Sequence, residues 1–192
     1  MNIYERLDKI LPRLQEKRFR ENKGLGNEIG FYIFDYDPKD ELIVREHIKY
    51  LKEKINNRDS DMQVIEFDLY EIILEILERK NYLEKTFNME KQRGSEYTFN
   101  AIKKTLRLTS NNDLVVKYIK SRVKTQDIVF LIGIGKAWPI IRSHTILNTL
   151  HSVIEDVPLI MFFPGVYDGI ELKLFNEIKD DNYYRAFQLV ER

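Results

Sequence analysis

Residues 127–134, Asp127-Ile128-Val129-Phe130-Leu131-Ile132-Gly133-Ile134, are apolar almost throughout and rich in branched side chains. A strand with one wet face alternates in polarity. One that does not is expected to be covered on both faces, as in a parallel sheet between helix layers. Residues 29–36 (I-G-F-Y-I-F-D-Y) and 157–163 (V-P-L-I-M-F-F) repeat this character. Residues 63–69 (Q-V-I-E-F-D-L) and 183–190 (Y-Y-R-A-F-Q-L-V) are further strands that alternate at least in part.

Helical spacing fills the intervals. Ile3, Leu7, Ile10, Leu11 and Leu14 mark a first helix that Pro12 interrupts or bends. Residues 18–28 hold Gly24 and Gly26 and read as a loop. Asp37-Pro38 supplies a cap and first helical residue for a helix carrying Val44, Ile48, Leu51 and Ile55. Ile72, Ile73, Ile76 and Leu77 begin a stretch that stays helical to about residue 123, with residues 110–113 (S-N-N-D) as an internal cap. Trp138-Pro139 is expected to open a helix bearing Ile146, Leu147, Leu150 and Ile154. Pro164-Gly165 and Asp168-Gly169 are turn signals. The alternation predicts a single α/β domain over 1–192. Its mainly parallel central sheet of about five strands is flanked by helices, with a helical insertion at about 70–124 between the second and third strands.

Composition narrows the function. The 192 residues are 43% hydrophobic and 32% charged, which excludes a disordered chain. No apolar run nears the roughly 18 residues of a membrane helix, no secretory signal opens the chain, and a cytoplasmic protein without membrane contact is expected. Cysteine is absent, so disulfides, thiolate metal sites and cysteine nucleophiles are excluded. The net charge is zero but uneven: residues 79–124 carry 12 basic and 4 acidic side chains. That block is either a solvated face or a surface for DNA, RNA or an acidic partner. Lys103, Lys104, Arg107, Lys117, Lys120 and Arg122 are its candidate nucleic-acid contacts.

In a parallel sheet ligands gather beyond the carboxyl ends of the strands. Asp35-Tyr36-Asp37, Asp68, residues 133–138 and residues 164–169 are expected to converge there. Gly133-Ile134-Gly135-Lys136-Ala137 has glycines too close together for a phosphate loop and lacks its hydroxyl residue. A tight strand-to-helix turn explains it. Asp35-x-Asp37 matches part of a dehalogenase-type phosphatase site, with Lys136 as a candidate lysine, but no hydroxyl follows the second strand. Capping by Asp37 explains it at lower cost. His47, His144 and His151 have no metal-ligand spacing, and no metal or cofactor is expected. Arg142, in the first turn of a helix at the sheet edge, is placed either to hold an anion or to pair with Asp168. No complete set of catalytic groups can be assembled.

Residues 133–150, with Gly133-Ile134-Gly135 and the run Trp138-Pro139-Ile140-Ile141-Arg142-Ser143-His144, resemble the BrxB family. So do residues 157–175, which contain Phe163-Pro164-Gly165-Val166-Tyr167-Asp168-Gly169, and residues 180–187. The resemblance implies a core component of BREX, the bacterial and archaeal bacteriophage-exclusion systems. These mark host DNA through a methyltransferase and block replication of invading phage. It implies a role and no reaction: a non-enzymatic assembly factor or adaptor that contacts other BREX proteins. The PglZ phosphatase-like protein, the BrxC ATPase and the PglX methyltransferase are the expected partners. Arg142, His144, Pro164, Gly165, Tyr167, Asp168 and Gly169 are then the candidate partner or ligand edge. The alternatives are a nucleic-acid-binding subunit using the basic helices, or a degenerate nucleotide- or phosphate-binding domain.

Overall fold

The computed structural model describes residues 1–16, 19, 30–57, 62–154, 157–179 and 186–192. Its centre is a sheet in the order β2-β3-β4-β1-β7, with every neighbouring pair parallel. The strands are β1 (Phe31–Tyr36), β2 (Val64–Asp68), β3 (Ile128–Ile132), β4 (Leu159–Tyr167) and β7 (Phe187–Gln188). The mainly parallel α/β architecture expected from the buried runs is therefore present. Alternate residues of β1 face opposite layers. Phe31 and Ile33 join a core with Phe67, Val129, Leu131 and Met161, while Tyr32, Phe34 and Tyr36 join a second core with Phe130, Ile160 and Phe162.

Helices cover both faces. On the Tyr32 side lie α1 (Ile3–Asp8), α2 (Ile10–Gln15) and α3 (Glu41–Asn56), which bury Leu7, Ile10, Leu14, Val44, Ile48, Leu51 and Ile55. The first helix splits at Lys9. Pro12, third residue of α2, has no N–H and its ring crowds the carbonyl four residues back, at Asp8, so the break falls before the proline. On the other face lie α4 (Leu69–Arg79), α5 (Leu83–Arg93), α6 (Ser95–Leu106), α7 (Leu114–Lys120) and α9 (Ser143–His151). Asp68 caps α4 by accepting from the Tyr70 and Glu71 amides, and Asp113 caps α7 by accepting from Val115 and Val116. Asp37 accepts from the Lys39 amide and opens a 3-10 turn (Pro38–Asp40) that leads into α3.

Two local expectations are corrected. Trp138-Pro139, a cis peptide, does not open a helix. It lies between the four-residue α8 (Ile134–Ala137) and α9, whose N-cap is Arg142. Pro164-Gly165 is no turn but lies inside β4. Tyr36 faces Pro164 in register, and β4 then continues to Tyr167 by pairing antiparallel with β5 (Leu172–Leu174). A partner on each side thus keeps extended a dipeptide whose local preference is to turn. The short antiparallel strands β5 and β6 (Ile178–Lys179) are joined through Phe175 and Asn176, both in the left-handed region without glycine, so no turn signal announces them. Asp168-Gly169 does turn: the Asp168 carboxylate accepts from the Ile170 and Glu171 amides. The last strand is confined to two residues among those described, and 183–185 lie outside them. The expected loop at 18–28 also lies outside the described residues, Phe19 excepted.

Candidate functional site

The carboxyl ends of β1, β3 and β4 do converge. Tyr36, Gly133, Lys136 and Pro164 line a cavity of about 270 Å³ there, flanked by Arg45 and Phe175. Its polar groups are committed to one another. The Tyr36 hydroxyl donates to Glu41 at 2.6 Å, and burial together with that bond raises its pKa far above the usual phenol value. Lys136 pairs with Asp68 at 2.6 Å and with Glu71 at 3.6 Å. Gly133 has φ of +73°, and a Cβ there would lie 2.2 Å from Asp68 Oδ1. Close packing thus accounts for that glycine without a phosphate.

Asp35 serves a different purpose from a nucleophile. It is 1% exposed, and its Oδ1 pairs with Arg6 at 2.8 Å. Its Oδ2 accepts from the Tyr167 amide and faces the Arg192 guanidinium, both at 3.2 Å. Arg6 also donates to the main-chain oxygens of Asp35 and Val190, and lies over the Phe34 ring. The N-terminal helix, β1, β4 and the C-terminal residues are thereby tied at one carboxylate. Sequence reasoning missed Arg6, although it stands three residues after Ile3 and four before Ile10, on the helix's apolar stripe. A charge on a buried stripe is the signal of a buried pair.

The candidate edge residues do not form one surface. Pro164, Gly165 and Tyr167 are buried. A Cβ on Gly165 would meet the Lys173 carbonyl oxygen at 2.1 Å, so the close approach of β5 demands glycine. The Tyr167 hydroxyl donates to the Ala186 carbonyl, and Gln188 donates to the Tyr167 carbonyl. Asp168 and Gly169 are exposed at the turn. The turn amides hold the Asp168 pKa below the ordinary carboxylate value. Arg142 does not pair with Asp168 among the described residues. His144 is half-buried beside the Thr145 hydroxyl, and His151 packs edge-on against Phe31. No three His, Asp or Glu side chains among the described residues gather as a metal set.

Arg142 instead joins part of the basic block. With Lys103, Lys104 and Arg107 it borders a cavity of about 500 Å³ between the end of α6 and the start of α9. The floor is Ile140, Ile141 and Ile146. A second hollow of about 170 Å³, lined by Trp138, Leu172 and Ile178, opens on the other side of Arg142. Lys117, Lys120 and Arg122 lie elsewhere. Lys117 donates to Asn112, Lys120 is exposed, and Arg122 stacks on Tyr118 with its carbon 3.5 Å from the ring centre. The six basic candidates therefore divide into a group at the cavity and a group on α7 and the turn after it.

No helix among the described residues is long and apolar enough to cross a membrane. The profile of the family described as "BREX protein BrxB" matches residues 65–189. A BREX protein BrxB of Bacillus cereus (strain H3081.97) is 66% identical over 190 residues, spanning 99% of this chain and 98% of that protein. A BREX protein BrxB of Escherichia coli O9:H4 (strain HS) is 38% identical over 187 residues, spanning 96% of this chain and 90% of that protein. No solved structure matches the chain.

Proposed function

The chain belongs to the BrxB family of BREX phage-defence proteins, and from that premise we propose that it is a non-enzymatic assembly factor or adaptor. It would hold other BREX proteins together in the cytoplasm, with the PglZ phosphatase-like protein, the BrxC ATPase and the PglX methyltransferase as candidate partners. The observation that carries the reading is the state of the sheet-edge groups. Asp35, Asp68 and Lys136, the side chains best placed for chemistry, are bound to one another or to neighbouring chain segments. Exposed apolar and cationic side chains remain nearby: Trp138 is 41% exposed and Arg142 is exposed beside it. That combination suits protein contact, where buried aromatic and arginine anchors dominate binding.

The test is affinity purification of the tagged chain from cells carrying the whole BREX locus, washed at low and high salt. Stoichiometric recovery of a BREX protein through high salt supports the adaptor. Arg142→Ala is expected to weaken that recovery with folding unchanged. Normal recovery and normal phage resistance in that variant would remove Arg142 from the interface.

The grouping of Lys103, Lys104 and Arg107 with Arg142 favours a second reading, a nucleic-acid contact. Recovery of DNA or RNA that leaves with salt, and of no protein, would put it first.

A further inference from the structure

We propose that the 500 Å³ cavity between α6 and α9 is a docking site for a partner's acidic peptide segment, one that seats an apolar side chain on the isoleucine floor and sets its carboxylates against the rim. The proposal deepens the adaptor reading and rests on it.

Charge is the first argument. Lys103, Lys104, Arg107 and Arg142 surround the opening, and none has an ion-pair partner among the described residues. Some cations elsewhere do: Arg79 pairs with Glu75, Lys136 with Asp68, and Lys179 with Glu171. The one carboxylate at the cavity among the described residues, Asp113, is 5% exposed and already occupied. Its Oδ1 accepts from the Val115 and Val116 amides and its Oδ2 from the Thr109 amide. Four positive groups are therefore presented with no negative group to offset them, which selects an anionic partner.

Backbone geometry is the second. Arg107 (φ 55°) and Thr109 (φ 64°) both adopt the left-handed region. For β-branched Thr109 that conformation is costly, and such strain concentrates at functional sites. Asp113 fixes it by holding the Thr109 amide at 3.0 Å. The loop after α6 is thus held in this conformation as one wall of the cavity.

The lining separates a peptide from a nucleic acid. Single strands bind through aromatic platforms on which bases stack, and among the described residues no Phe, Tyr or Trp lines this cavity. Branched aliphatic side chains form the floor, which fits leucine or isoleucine of a peptide better than a base or a phosphate. The neighbouring Trp138 faces the smaller hollow across Arg142.

The test titrates the full chain against a fluorescent peptide of two leucines flanked on both sides by glutamates, followed by anisotropy. Saturable binding is expected. It should weaken about tenfold or more in Arg142→Glu, and likewise in the double variant Lys104→Glu with Arg107→Glu. The side chains changed are exposed, and circular dichroism checks folding. Replacing the two leucines by serines should weaken binding about tenfold or more, since a buried leucine is worth that much. Lys120→Glu, outside the cavity, should leave it unchanged. No binding of the leucine peptide, equal binding of the serine peptide, or equal loss in Lys120→Glu each overturns the proposal. So does tighter binding of oligothymidine that the same cavity variants abolish.

Purification from cells carrying the BREX locus separates this proposal from the adaptor reading. If the unaltered chain and the cavity variants recover the same BREX partner equally, the adaptor stands and the cavity proposal falls. If the variants alone lose the partner, both stand. If the unaltered chain recovers none, the adaptor reading falls and takes the cavity proposal with it, whereas a failed peptide titration beside normal recovery removes the cavity proposal alone.

Discussion

Arg6 and Asp35 form an ion pair at 2.8 Å in which neither side chain is more than 5% exposed. Breaking a buried pair by removing one partner leaves an uncompensated charge, which costs about 3–5 kcal/mol. Arg192, 3.2 Å from the other oxygen and partly exposed, offsets some of this. Arg6→Ala is therefore expected to lose about 3 kcal/mol in chemical denaturation. Arg6→Met combined with Asp35→Leu should lose less than the sum of the two single changes. A loss below about 1 kcal/mol for Arg6→Ala would show that the pair contributes as little as a surface bridge.

Gly165→Ala pushes a methyl group into the Lys173 carbonyl, a backbone atom that cannot swing aside. The change should cost about 2–3 kcal/mol and loosen β5, as overpacking does. Hydrogen exchange at Lys173 and Leu174 would report it. Unchanged protection would mean that β5 moves away from β4 without penalty.

Asp113→Ala removes the α7 cap and the bond that holds Thr109. Cap loss alone costs about 1 kcal/mol. The released loop should also lower the affinity of the acidic peptide, although the four cations stay in place and the cavity's own carboxylate is gone. A stability loss with unaltered peptide affinity would separate the wall from the binding site.

His47 packs between α3 and the end of α1, and burial lowers its pKa, with Asp8 and the Leu7 carbonyl opposing the shift. Its unfolded value is about 6.5. A lowered folded pKa means that the unfolded chain binds the proton more readily. The stabilisation is then complete above pH 6.5 and is lost as pH falls through the folded value. The melting temperature should fall between pH 7.5 and pH 5.5, and His47→Gln should flatten that fall. An equal slope in the variant would move the effect to other groups.

Much of the fold was legible because two-sided burial writes itself as unbroken apolar runs. Residues 127–134 and 157–163 were readable for that reason, as were the stripe Val44, Ile48, Leu51, Ile55 and the caps at Asp37 and Asp113. The strand end at Pro164-Gly165 was not, because a local turn preference is overridden by partners that lie far away in the chain. The hairpin at Phe175 and Asn176 escaped because left-handed residues without glycine carry no local signature. At the candidate site, Arg142 and the lysines of α6 were legible as charges, but their meeting was not. Lys103 and Lys104 precede Arg142 by 39 and 38 positions with β3 between, and the packing of α9 beside α7 and the end of α6 makes them neighbours. Tyr167 and Gly165 were placed at the edge by their sequence neighbourhood, and the structure shows them as interior packing.

The position of β1 between β4 and β7 has a consequence for synthesis. Both strands that flank residues 31–36 come from residues 159–188. On the ribosome, β1 therefore emerges early and waits through most of translation with both edges unpaired, its apolar side chains half covered by α1–α3 at best. The carboxylate of Asp35 waits as well, since two of its partners, Tyr167 and Arg192, follow it by 132 and 157 positions. Sheet closure is a late, long-range event, the kind that folds slowly and exposes strand edges meanwhile. A ribosome stalled before residue 159 would hold a chain whose β1 is free to pair with a stranger.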